Sequence, residues 1–231
     1  LLKCSDPLAP GDSSLADPLW HSFLSRERCW LNDCMMKRVS PKFVNESVEL
    51  LCLEAANPTS VPGVKFTAKQ VEEKTELPKE EATLFRSVVG KLLHVQDDYP
   101  DSQYVIKELS REMSTPTSLG MLLLKHLVRY MKTTTGNCVV YKPTVGAATV
   151  EVVVDSNWAG CPLTSKSTDC VQVFVADCLV YSSAKTQAII SQSSGEAELM
   201  AIHRGACFGV YVSHVWAELT GVSPVVKLFS D

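Results

Sequence analysis

The sequence predicts a mixed α+β to α/β chain, in which a helical region precedes a mixed sheet built in the order β-β-β-α-β. Three observations predict it. Apolar residues recur at helical spacing through residues 79–132. A valine-rich run over 150–154 ends in an acid, Asp155, and two more short apolar runs follow at 168–175 and 178–183. A long helical pattern over 193–220 then leads into a last apolar run that ends at Asp231.

Composition sets the outer limits. The chain has 231 residues, room for one large domain or two small ones. Hydrophobic content of 45% with 21% charged residues describes a core-forming protein and excludes wholesale disorder. The net charge of −4 gives no global basic signature, so any nucleic-acid contact must come from a local patch or from metal ions bridging to phosphates. No run reaches the ~18 apolar residues of a membrane span. The first residues lack a basic start followed by an apolar stretch, so no signal peptide is expected, and they begin without Met, which suggests a fragment. Nine scattered cysteines, an odd number without a CxxC, predict reduced thiols and an intracellular location. Cys29 and Cys34 have a spacing that zinc could use, but no second Cys/His pair stands at finger distance.

The elements follow in order. Residues 1–40 are rich in Pro, Gly, Asp and Ser up to Pro18, and the rest is expected to form a short helix or irregular segment. Residues 41–57 read as a helix, with Pro41 in its first turn and Phe43, Val44, Val48, Leu51 and Cys52 on one face. Residues 64–80 are charged and mixed, an exposed connection. Helices are expected over 79–95, 101–113 and 118–132, with Asp97, Asp98, Tyr99 and Pro100 breaking the first pair. On the last of these, Lys125, His126, Arg129 and Lys132 gather on one side, either as a solvated face or as a stripe that tracks phosphates. A short strand over 138–141 precedes the valine-rich strand. Ser193 and Glu196 have capping-box spacing, and Leu199, Ile202, Ala206, Val210 and Trp216 are the expected apolar face of the helix they open. Thr220, Gly221 and Pro224 stop it.

Crossover geometry makes the last strand parallel to the valine-rich one. Asp155 and Asp231 then stand on adjacent strands, with Glu198 one or two turns into the crossover helix. A strand acid, a helix acid and a second strand acid can form a carboxylate cage for divalent metal. The competing possibility, that Asp155 only starts a turn, stays open on these grounds.

Six collinear segments resemble one known family. PKFVNESVELLCLEAANPTSVPG is similar to a segment ending in Pro-x-Ser/Thr-x-Pro-Gly. LFRSVVGKLLHV resembles Tyr-Arg-Ser-hydrophobic-Val-Gly-x-Leu-hydrophobic-Tyr. PDSQYVIKELSREMSTPT resembles Pro-Asp-Ile-x-Tyr-Ala-Val-x-x-Leu-Ser-Arg-x-Met-x-x-Pro-Thr. HLVRYMKTTTGNCVVY resembles Val-Leu-Arg-Tyr-Leu-Lys-Gly-Thr. VDSNWAGCPLTSKSTDC resembles Asp-Ala-Asp-Trp-Ala-Gly followed by Lys-Ser-Thr-Ser-Gly. SSAKTQAIISQSSGEAELMAI resembles Ser-Ser-Lys-Lys-Gln followed by Ser-Ser-Thr-Glu-Ala-Glu-Tyr-Met-Ala. Over 41–231 the chain thus resembles the Pol polyprotein of copia-type LTR retrotransposons, in the region after the polymerase palm and into the ribonuclease H domain.

The resemblance implies three parts: an unassigned segment 1–40, a helical region 41–137 like a polymerase thumb or connection, and an RNase H-like domain 138–231 that is truncated at its C-terminus. It implies that Asp155, Glu198 and Asp231 are both the catalytic and the metal-binding acids, holding two Mg²⁺ ions about 4 Å apart. Glu196 is taken as a cap rather than a ligand. The implied substrate is the RNA strand of an RNA–DNA hybrid, supported by Lys125, Arg129 and Lys132, and the implied partner is the remainder of the Pol polyprotein. The sequence also departs from the family. The polymerase Tyr-x-Asp-Asp motif is absent, Cys170 stands in place of a Gly, Asp169 in place of a Ser, and Tyr99 in place of the Arg before Pro-Asp. Two alternatives accompany the expectation: a catalytically inactive remnant or nucleic-acid-binding module of the same descent, and an unrelated α+β interaction domain.

Overall fold

The computed structural model describes residues 20–31, 34–142, 149–161 and 164–230. The chain divides into two compact units, Leu1–Val140 and Tyr141–Asp231. Among the described residues it is mixed α/β, with two four-stranded sheets and six α-helices.

The first unit opens with strands, where the sequence predicted a short helix or irregular segment. β1 (His21–Phe23), β2 (Arg26–Leu31) and β3 (Cys34–Val39) form an antiparallel meander, and β4 (Val139–Tyr141) lies beside β3. The turn between β1 and β2 is made by Leu24 and Ser25, both left-handed at φ 50° and 61°. Two consecutive positive φ values suit the right-handed twist of the flanking strands, but this turn normally carries Asn or Gly. The hairpin is held by charge. Glu27 pairs with Arg38 across the strands at 2.7 Å. Arg26 and Lys37 both reach the buried carboxylate of Asp98, at 2.8 and 3.1 Å. Asp98 therefore ties the hairpin to the turn between two helices.

Those helices form the first core. α1 (Lys42–Leu50) ends earlier than expected, because Cys52 turns left-handed at φ 53°. The segment expected to be a bare connection contains α2 (Ala68–Glu72), opened by a capping box between Thr67 and Gln70. α3 (Lys79–Val95) has the predicted bounds, with Glu80 and Glu81 in its first turn, where negative charge favours the helix N-terminus. A 3-10 turn, Gln96–Asp98, then leads towards α4 (Gln103–Arg111). The Thr117 hydroxyl accepts the Gly120 amide and opens α5 (Ser118–Thr134). Phe85, Val88, Leu92, Ile106, Leu109, Leu124, Leu127 and Met131 are fully buried between α3, α4 and α5.

The second unit has the predicted order. β5 (Thr149–Asn157), β6 (Thr168–Val175) and β7 (Cys178–Thr186) form an antiparallel meander, α6 (Ser194–Thr220) crosses over, and β8 (Val225–Phe229) returns. The sheet runs β7-β6-β5-β8, and β8 pairs parallel with β5 from Thr149–Val225 to Val153–Phe229. Val150, Val152 and Val154 alternate to one face of β5 and lie opposite Val175, Val173 and Val171 of β6. α6 covers this valine face. Ser193 caps the helix by accepting the Glu196 amide, and Gly221 ends it in the left-handed conformation at φ 72°. Glu196 reaches back to the Gln192 amide at 2.7 Å, one residue short of a full capping box.

The buried face of α6 differs from the expected one. Ala197, Ala201, Gly205 and Gly209, four apart, are buried, while Leu199 and Val210 are 62% and 49% exposed. Ile202 and Trp216 pack at the margin of the core. A side chain at Gly205 would run into Val154 and come within 3.1 Å of Val152. One at Gly209 would lie 2.8 Å from Val152 and 3.1 Å from Val226. The helix backbone itself is thus seated on the valines. Gly205→Ala is expected to destabilise the protein by about 2 kcal/mol, because overpacking outweighs the gain in helix propensity. Gly90→Ala, in α3 with open space around the glycine, is expected to stabilise by about 1 kcal/mol. Chemical denaturation of both variants checks the contrast.

Candidate functional site

The two acids on described residues approach one end of β5 from different sides. The alternation that buries Val150, Val152 and Val154 carries Asp155 to the opposite, open face of the sheet, where it is exposed and paired across from Cys170. Burial pushes the Cys170 thiol up, and the nearby Asp155 charge adds to this. Ser156 returns to the helix-facing side, across from Asp169. Glu198, the fifth residue of α6, meets it there: one carboxylate oxygen, Oε1, accepts the Ser156 hydroxyl at 2.8 Å and the Ser156 amide at 3.3 Å. That amide nitrogen is bonded to the carbonyl carbon of Asp155, so Glu198 is held against the peptide that follows the strand acid. The other oxygen, Oε2, is buried and has no hydrogen-bond partner among the described residues.

A second carboxylate lies under the start of α6. Asp169 is 5% exposed. Burial pushes its carboxyl above the ordinary range; the Gln187 hydrogen bond and the Arg204 charge oppose this, and Glu198 adds to it. Gln187 Nε2 donates to Asp169 Oδ1 at 2.5 Å and to the Ala197 carbonyl at 2.9 Å, while its Oε1 accepts the Ser191 hydroxyl at 2.7 Å. The Ser191 carbonyl accepts the Trp158 indole at 3.1 Å, which fixes the turn after β5. Arg204 donates to the Ser183 hydroxyl, and its Nη1 is buried with no hydrogen-bond partner among the described residues.

The donor set offered by Asp155 and Glu198 is all oxygen, the chemistry that hard divalent cations take. Among the described residues no group of three His, Cys, Asp or Glu side chains could hold a metal ion. Asp231, the third predicted acid, lies outside the described residues. Sequence reasoning missed Ser156, Asp169, Gln187 and Arg204. Asp169 left a signal: an acid inside an apolar strand, on the same alternation as Val171, Val173 and Val175.

The basic flank predicted on α5 is engaged within the first unit. Arg129 Nε donates to the Asn57 carbonyl at 2.5 Å, and Lys132 donates to the carbonyls of Leu53, Glu54 and Ala56. His126 contacts the Val61 carbonyl at 3.0 Å. These side chains fasten the segment after α1, and Lys125 is exposed.

No family model matches the chain. Over 118 residues, 51% of the chain, it is 35% identical to the uncharacterized mitochondrial protein AtMg00810 of Arabidopsis thaliana. Over 147 residues, 64% of the chain, it is 26% identical to the retrovirus-related Pol polyprotein from transposon RE1 of the same plant. These matches support a relationship to a retrotransposon Pol polyprotein. The matched spans cover 49% of the mitochondrial protein and 10% of the polyprotein. No helix among the described residues is long and apolar enough to cross a membrane.

The buried Asp169 gives a test of the electrostatics around α6. Its carboxyl is held above the unfolded value, so the ionised form carries a stability cost at neutral pH, and that cost is relieved as pH falls through the folded pKa. Asp169→Asn keeps an oxygen acceptor for Gln187 and cannot ionise. It is expected to melt above the wild type at pH 7, with the margin shrinking towards pH 4 in parallel thermal melts.

Proposed function

We propose that the second unit is an RNase H-like nuclease module of a retrotransposon Pol polyprotein, which hydrolyses the RNA strand of RNA–DNA hybrids during reverse transcription. The first unit is its thumb- or connection-like neighbour. The observation that carries the reading is the double hydrogen bond from Ser156 to Glu198, which holds a helix carboxylate against the peptide that follows a strand carboxylate. The strand order supports it, since β5 and β8 run parallel side by side. In the β5–β8 pairing the last partners are Val153 and Phe229, and Asp155 and Asp231 each follow by two residues along the chain.

Asp155, Glu198 and Asp231 are the residues that would hold two Mg²⁺ ions. Bound there, the ions would align an attacking water and stabilise the leaving 3′-oxygen. The chain's own contribution is orientation. Two donors from Ser156 fix one oxygen of Glu198, which would leave the buried second oxygen to meet a cation. The hybrid would be recognised through its backbone and 2′-hydroxyls rather than its base sequence.

A second reading, an inactive module of the same descent that only binds nucleic acid, is favoured by one observation: Asp155 and Glu198 lie on opposite sides of β5 by strand alternation. The experiment separates the two. The protein is incubated with an RNA–DNA hybrid and Mg²⁺ or Mn²⁺, and cleavage is followed on gels. The nuclease reading expects cleavage of the RNA strand only, abolished by Asp155→Asn and by Glu198→Gln. Hybrid binding without cleavage, or cleavage that persists unchanged in Asp155→Asn, overturns it.

A further inference from the structure

We propose that Gln187 is a positioning residue, whose buried side chain sets the Glu198 carboxylate on the Ser156 amide. The role follows from what its three hydrogen bonds connect. Nε2 donates to Asp169 on β6, the strand paired with β5, and to the carbonyl of Ala197, the residue immediately before Glu198. Oε1 accepts from Ser191, in the segment that leads into α6. The Gln187 backbone amide adds a fourth anchor, donating to the Ser167 carbonyl at 2.9 Å. With 4% of its surface exposed, the side chain sits where an unpaired amide is costly, so both of its ends are committed.

The alternatives for seating α6 are weak at this end of the helix. Gly205 and Gly209 fix the middle of α6 on β5 by close contact. Beyond them towards the N-terminus, small residues, Ala201 and Ala197, face the sheet, and a smooth surface leaves rotation and sliding of the first turns poorly defined. Gln187 supplies the directional contact that the alanines lack. It pins the Ala197 carbonyl to Asp169, which lies directly across from Ser156. The same side chain, through Ser191, also steadies the carbonyl that receives Trp158 in the turn after Asp155. One amide thus places Glu198 with respect to the end of β5.

The inference deepens the nuclease reading and rests on it for its functional meaning, but the Ser156–Glu198 bond can be read without any activity. Amide hydrogen exchange of the full chain, resolved by residue, is compared in wild type and Gln187→Met, which keeps the length of the side chain and removes its hydrogen bonds. Ser156 is expected to exchange at least ten-fold faster in the variant, while Val152 and Val173 keep their protection. Unchanged exchange at Ser156, or an equal loss at all three positions, overturns the proposal. Should the variant not fold, Ser191→Ala removes only the donor to Oε1 and carries the same expectation at smaller size; unchanged Ser156 exchange there overturns it too. Mn²⁺ titration by calorimetry supplies the second readout. Binding that is lost in Glu198→Gln and weakened about ten-fold in Gln187→Met supports the positioning role; binding equal to wild type in Gln187→Met counts against it. If the wild type binds no Mn²⁺, the nuclease reading fails, and the exchange data alone decide the role of Gln187.

Discussion

The contact between the backbone of α6 and the valines of β5 is the constraint on which the second unit depends. Gly205 and Gly209 let the helix come close enough for Val152 and Val154 to occupy the space that a side chain at either position would need. The same approach closes the valine core, with Val171 and Val173 beside them and Ala201 above. It also fixes how far α6 stands from the sheet, and therefore how far a side chain on its second turn must reach to meet the end of β5. Glu198 spans that distance to accept the Ser156 hydroxyl at 2.8 Å. A helix seated on leucines would stand higher off the sheet and would need a longer arm.

The polar arrangement around that contact is layered. Valines fill the centre; Ser156, Asp169, Gln187 and Ser191 gather at one margin, and Ser183, within β7, meets Arg204 of α6. Such a network is stable when each member is satisfied and costly when one is left unpaired. Here two buried atoms, Glu198 Oε2 and Arg204 Nη1, have no hydrogen-bond partner among the described residues. Tyr181 stacks on Phe208 at 4.3 Å, and the Arg204 guanidinium lies over the Phe208 ring at 5.8 Å, a cation–π contact on its apolar side.

Much of the architecture was readable from the amino acids. The bounds of α3 and β6 coincide with the periodic runs, and Ser193 and Gly221 mark the ends of α6. The N-terminal hairpin was not readable, because its turn uses Leu24 and Ser25 where a glycine would have signalled it. The helix face of α6 was misjudged for a related reason. Hydrophobicity ranks leucine and valine above glycine and alanine, whereas the packing selected by size, so Leu199 and Val210 face outward. Asp155 and Glu198 stood out as acids beside apolar runs. Ser156, Asp169 and Gln187 could not, since their roles depend on the pairing of β5 with β6, and register is a property of the folded sheet.

The placement of β8 bears on how the chain behaves at high concentration. Among the described residues it is the last strand of its sheet, so one row of its peptide groups has no neighbouring strand. Val225 and Phe229 expose about half or more of their surfaces there. Edge strands are usually protected from sticking to other chains by a charge. β8 has a single one, Lys227, and Glu151 on β5 lies 3.8 Å from it and partly neutralises it. Lys227 is thus the charge that guards this strand, and salt, which screens it, would weaken that protection.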